Sequence, residues 1–177
     1  MSLLSREDIL AYLEADDEIP GAIRWANHHG LSFTWDEEAL TFTLHFESGS
    51  DRGSQPEVYL LVGSFEDYPA LPPAWRFLDP RTSREIGRAA YPAAGPFGKG
   101  SVLHDQGVIC APWNRFAYAD KGGPHKDWTP TGWQNLAPDR TWARTIPDML
   151  ARVCAEVAIS PRRLAPLPPL DPGETQA

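Results

Sequence analysis

Cys110 follows Gly107-Val108-Ile109 and opens a stretch dense in large apolar side chains, with Trp113, Phe116, Tyr118, Trp128 and Trp133. A cysteine in that position reads as a nucleophile rather than as an inert core thiol. Thiolates attack acyl groups readily, and the thioesters they form stay reactive toward amines. A free thiol titrates near ~8.5 and is only slightly ionised at neutral pH, so an activating neighbour helps. His104 and His125 are the candidates, either to favour the thiolate or to act as base for an incoming amine. Asp105 or Asp127 can orient the imidazole. A developing oxyanion needs a donor, which Asn114 or a main-chain amide near Cys110 can supply. His125 ranks ahead of His104, because it lies in the loop after the cysteine whereas His104 falls at a strand end.

Each of these residues also has a plainer reading. Free cysteine is among the most buried residue types, and Cys154, on the apolar face of a helix, is assigned to the core. His28 and His29 lie near a turn and are incidental, Asn114 can cap a turn, and Trp113 and Trp128 serve packing. No Cys-x-x-Cys pair exists, which excludes a thiolate-rich zinc site. A mononuclear metal held by Cys110, His104, His125 and Asp127 stays open as an alternative.

The elements that must position these groups are legible from capping and alternation. Ser5 and Asp8 form a capping box ahead of Leu4, Ile9, Leu10 and Leu13, and Glu18-Ile19-Pro20-Gly21 is expected to break that helix. Residues 31–35 and 40–46 alternate apolar and polar about a turn at Asp36-Glu37-Glu38, the pattern of a half-buried antiparallel hairpin. Ile23 to Trp25 are expected to extend the first strand. Residues 49–55 read as a polar loop, 58–62 as a third strand and 75–78 as a fourth. A helical turn is expected within 83–90. Thr145 and Asp148 form a second capping box, with Pro147 in the first turn, and Ile146, Met149, Leu150, Val153, Cys154 and Val157 share one helical face up to Pro161. The fold class expected is α+β: one domain over 1–163 and a Pro-rich flexible tail over 164–177.

Composition bounds what such a chain can meet. At 177 residues it is long enough for one sizeable core, and seven tryptophans argue for a packed globule. A net charge of -8 without a basic cluster argues against nucleic acid. No apolar run approaches the ~20 residues that span a bilayer, and Glu7 and Asp8 stand where a signal peptide would be basic and then apolar, so a soluble cytoplasmic protein is expected. The only lysines are Lys99, Lys121 and Lys126, which leaves few amines on the protein itself as acyl acceptors.

Three motifs fall in a telling order. Tyr68-Pro69-Ala70-Leu71-Pro72-Pro73-Ala74-Trp75-Arg76-Phe77 has the form Y-P-x-x-P-P-x-x-x-F, Gly107-Val108-Ile109-Cys110 the form G-x-I-C, and Trp128-Thr129-Pro130 the form W-[ST]-P. With an N-terminal helix, a four-strand meander and a capped C-terminal helix around them, the chain resembles the ubiquitin-conjugating enzymes over nearly its whole length. That resemblance implies the family's fold, Cys110 as the residue that carries a modifier as a thioester, and no cofactor. It also implies three partners: an activating enzyme, a ubiquitin-like protein and a target protein. The chain departs from the family in three places. Tyr68 and Cys110 are 42 positions apart, so 81–100 reads as an insertion; Ser101-Val102 stand where an H-P-N triplet usually precedes the cysteine; and about ten extra residues lie between Cys110 and Trp128, Gly122 to Asp127 among them. Such departures look like bacterial branches of the family, found beside activating enzymes and often in phage-defence operons. Two alternatives remain: an inactive variant that binds a ubiquitin-like protein, favoured by the missing triplet and opposed by the retained cysteine, and a Cys–His acyl hydrolase, which would need a closed pocket.

Overall fold

The stretches expected as strands pair into one antiparallel sheet in the order β1-β2-β3-β4: β1 Ser32–Asp36, β2 Thr41–Glu47, β3 Val58–Ser64 and β4 Ala74–Leu78. The computed structural model describes residues 3–48, 56–95, 100–136 and 143–171. The loop expected over 49–55 lies outside them, as do Lys99 and the end of the expected tail, 172–177. In-register partners Trp35 with Phe42, Leu44 with Leu61 and Leu61 with Phe77 direct one apolar face inward. On that face a Cβ at Gly63 would lie 2.4 Å from the Trp75 ring, so only glycine leaves room for the indole.

Among the described residues three α-helices accompany the sheet: α1 Arg6–Ala15, α2 Glu18–His28 and α3 Ile146–Ala158. The N-cap half of both expected capping boxes forms, with Ser5 Oγ accepting from Asp8 N at 3.1 Å and Thr145 Oγ1 from Asp148 N at 3.3 Å. Met149, Leu150, Val153 and Val157 of α3 are fully buried, and Trp75 Nε1 donates to Met149 Sδ at 3.4 Å, tying α3 to β4. Each such large apolar side chain contributes about 1.5–3 kcal/mol on burial.

The break expected at Glu18 to Gly21 is instead the start of α2, and Ile23 to Trp25 lie in that helix, not in a strand. Asp17, at φ 59°, turns the chain between the two helices. Pro20 then sits in the first turn, where a main-chain N–H has no helical acceptor to lose. Glu18 is almost wholly buried and accepts from Tyr68 Oη at 2.8 Å and from Ile146 N at 2.6 Å, joining α2, α3 and the Pro-rich turn. Burial pushes its carboxyl upward, against the pull of these two donors. A small hairpin, β5 Leu103–His104 with β6 Val108–Ile109, was not expected. The helical turn within 83–90 is a short 3-10 segment at Gly87–Ala90.

The described part of the tail, 164–171, has no helix or strand. It is held by Leu164 N to Tyr91 O at 2.9 Å and by Arg81 Nη2 to Pro168 O at 2.8 Å. Among the described residues no helix is long and apolar enough to cross a membrane.

Candidate active site

Cys110 leaves β6 with its main-chain N–H donating to Val102 O at 2.7 Å and its thiol half-buried. The turn before it passes through Gly107 at φ 76°, a conformation glycine adopts without strain. Its Sγ lies 2.9 Å from His125 Nε2, fifteen positions downstream. The chain returns over that span by a tight path. Asn114 caps a 3-10 turn at Arg115–Ala117, a second follows at Ala119–Lys121, and Gly122 reverses direction at φ 83°. His125 N then donates to Ala117 O at 3.2 Å and Ala119 N to His125 O at 3.1 Å, so both main-chain groups of the histidine are fixed.

Gly123 makes this path possible. A Cβ there would fall 2.2 Å from Ala117 C and 2.3 Å from Ala117 O, main-chain atoms that cannot step aside. Gly123→Ala is therefore expected to cost about 1–3 kcal/mol of overpacking and to pull His125 away from the thiol. Alkylation of Cys110 by iodoacetamide in that variant should slow to the rate of a protein lacking the histidine; an unchanged rate would show that the loop does not set the pair.

The imidazole is also held through its face. Trp128 stacks on His125 with ring centroids 3.4 Å apart and planes 1° from parallel, and Tyr118 meets the same indole edge-on. An indole face accommodates an imidazolium as well as a neutral ring. Tyr118 Oη donates to Pro112 O at 2.6 Å, and burial pushes its phenol well above the ordinary value, which makes it a strut and not an acid.

The Pro-rich turn between β3 and β4 is the socket for this loop. Arg115 N donates to Pro73 O at 2.9 Å, Arg115 Nε to Pro72 O at 3.0 Å, and Trp133 Nε1 to Pro69 O at 3.0 Å. Trp133, three positions past the W-[ST]-P triplet, and Arg115, five past the cysteine, thus both dock on the Pro-rich turn. The prolines leave their carbonyls free of any ladder, and those carbonyls take the loop's donors.

The other sequence candidates fall as follows. Asn114 is fully buried with both ends of its amide engaged: Oδ1 accepts from Trp75 N at 2.8 Å and Nδ2 donates to Ile109 O at 2.7 Å. His104 belongs to the β5–β6 hairpin, where Nδ1 accepts from Gln106 N at 3.2 Å. Asp105 and Asp127 are exposed. Trp113 is core, whereas Trp128 carries the histidine. His28 and His29 pack edge to face at the end of α2. Among the described residues no group of three or more His, Cys, Asp or Glu is placed to hold a metal ion. Sequence reasoning missed Gly123 and gave Trp128 to packing; the Gly122-Gly123 pair was the signal available for the first.

Cys154 differs sharply from Cys110. Burial on α3 pushes its thiol up to about 12, so it stays protonated at any ordinary working pH. At pH 8 the native protein is expected to take up iodoacetamide at Cys110 only, with Cys154 labelled after unfolding, as peptide mapping will read. Equal labelling of both in the native state would contradict this. Comparisons of the chain with known protein families, curated proteins and solved structures find no match.

Proposed function

We propose that this chain is a conjugating enzyme for a ubiquitin-like protein, with Cys110 as the carrier. The observation that carries the reading is the 2.9 Å approach of Cys110 Sγ to His125 Nε2 on a loop seated in the Y-P-x-x-P-P turn. In the first step the Cys110 sulfur attacks the thioester of a charged activating enzyme; a new C–S bond forms and the activating enzyme's thiolate leaves. In the second, a target amine attacks the new thioester, His125 takes the proton the amine sheds, and the Cys110 thiolate leaves as the amide forms. The supporting order is α1, the four-strand meander with the Pro-rich turn between β3 and β4, the cysteine, Trp128-Thr129-Pro130 and α3, which resembles that of ubiquitin-conjugating enzymes. An added α2 and the replacement of H-P-N by Ser101-Val102 set the chain apart from the usual members. With Asn114 Nδ2 given to Ile109 O, we assign Asn114 to holding the loop and the oxyanion to main-chain amides.

The same Cys–His contact would serve an acyl hydrolase, and it opposes an inactive binding role. The test is charging. The protein is mixed with ATP, an activating enzyme and its ubiquitin-like protein, then run on a non-reducing gel. A reductant-sensitive adduct that is lost in Cys110→Ala and kept in Cys154→Ala is the expected result. No adduct from a demonstrably charged activating enzyme would reject the reading, and hydrolysis of simple acyl thioesters under those conditions would favour the hydrolase.

A further inference from the structure

The segment that leads into the cysteine hairpin is held from one side by a single turn of α3. Glu156 is 2% exposed, and its carboxylate accepts from Val102 N at 2.9 and 3.1 Å and from the Ser101 hydroxyl. Ser101 Oγ in turn accepts from Leu103 N at 3.0 Å. One turn earlier on the helix, Arg152 Nη2 donates to Gly100 O at 2.7 Å. Arg152 Nε lies 2.8 Å from Glu156 Oε1, an ion contact at an angle that makes no hydrogen bond. Val102 O then takes the Cys110 N–H at 2.7 Å. Gly100, Ser101 and Val102 are thus clamped by two side chains four positions apart, and the last of them carries the nucleophile's main chain.

Burying a carboxylate is costly, and its compensation by neighbours rarely exceeds what an apolar side chain of the same size would give. Such a group is well suited to fixing a geometry, since an ionised carboxylate demands its donors at defined positions. The two halves of the catalytic pair stand on separate frames. His125 is placed by Gly123 and Ala117; Cys110 is placed by Val102, and Val102 by α3.

We propose that Glu156 is a positioning residue for the nucleophile: its grip on Val102 sets where Cys110 Sγ meets His125 Nε2. In this chain the Ser101-Val102 segment, which stands where an H-P-N triplet would, serves as the link between helix and cysteine. The inference rests on the reading of Cys110 and His125 as a working pair, and it does not depend on which acyl group they carry.

The test is the second-order rate of Cys110 alkylation by iodoacetamide at pH 7 in Glu156→Gln, His125→Ala and the double variant, with thermal stability recorded for each. Glutamine keeps the shape and one acceptor but places an amide donor where Val102 or Ser101 also donates. Glu156→Gln is expected to slow the reaction about tenfold, in line with the sensitivity of reactive pairs to misplacement. The double variant is expected to react no more slowly than His125→Ala alone, the non-additivity that marks two residues acting through one contact. A folded Glu156→Gln protein that alkylates at the unaltered rate, or an effect that multiplies with that of His125→Ala, would overturn the proposal. Should Glu156→Gln not fold, Arg152→Ala, at a partly exposed guanidinium, is expected to show a smaller slowing with the same non-additivity. An unaltered rate in that folded variant would overturn it equally. Alkylation needs no modifier, so failure of the charging assay leaves this result interpretable on its own.

Discussion

His125→Ala is expected to slow alkylation of Cys110 at pH 7 about tenfold and discharge of a charged Cys110 to a free amine about 100-fold. The two numbers differ because the proposed mechanism gives the histidine two tasks. Before acylation it stands beside the thiol at 2.9 Å and favours the reactive thiolate. Since an isolated thiol is already a few per cent ionised at neutral pH, that assistance is bounded at about tenfold to thirtyfold. After acylation it receives the proton that an attacking amine must lose, a role in which general bases contribute about 10²–10⁴-fold. His125→Gln separates position from proton transfer: the amide can stay on Trp128 and hold a hydrogen bond, yet it accepts no proton at neutral pH. It is expected to discharge as slowly as the alanine variant. Full discharge activity in either variant would remove His125 from the mechanism.

Asn114→Ala is expected to lower stability by about 3–5 kcal/mol. The side chain leaves two buried groups behind when truncated, the Trp75 N–H and the Ile109 carbonyl, along with a longer contact from Phe116 N at 3.4 Å. Each buried polar group left without its partner costs about 1–3 kcal/mol. For a chain of this length, about 2–4 °C of melting temperature accompanies each kcal/mol, so a drop of about 10 °C is the reading to look for in a thermal scan. Because Asn114 bridges the strand end before Cys110 and the strand β4 beneath the loop, the folded fraction should also lose Cys110 reactivity. A variant that melts as the unaltered protein does and is slowed only in acyl transfer would return Asn114 to the oxyanion role.

How much of this could be read from the chain varies by element. Strands β1 and β2 were legible because Leu40, Phe42, Leu44 and Phe46 alternate cleanly with polar residues, and a strand with one face on the core demands that period. Strands β3 and β4 were legible instead as short apolar runs, since β3 is buried on both faces. Helices α1 and α3 were legible because Ser5 with Asp8 and Thr145 with Asp148 announce their starts within four residues. Helix α2 was not, because a proline in a first turn and a proline at a break look alike in one dimension. Only the buried Glu18, tied to Tyr68 and Ile146, makes sense of helix over break, and those partners lie 50 and 128 positions away. The β5–β6 hairpin escaped because two-residue strands carry no period.

In the site, Cys110 and His125 were legible as residue types in a loop rich in aromatics, and the structure brings them together. What could not be read was the means. The stacking of His125 on Trp128, the clearance at Gly123 and the commitment of both ends of the Asn114 amide all depend on where the chain turns back on itself. Sequence places a polar side chain near a nucleophile; only geometry shows whether its donors are already taken.

The proposed function places an acyl group on Cys110. The most direct measurement is the intact mass of the protein after brief incubation with ATP, activating enzyme and modifier under non-reducing conditions, followed by peptide mapping. A gain of the modifier's mass less one water, mapped to the peptide that contains Cys110 and reversed by a thiol reductant, is the expected result. A gain that survives reductant and maps to Lys99, Lys121 or Lys126, or no gain while the activating enzyme is itself charged, would contradict it.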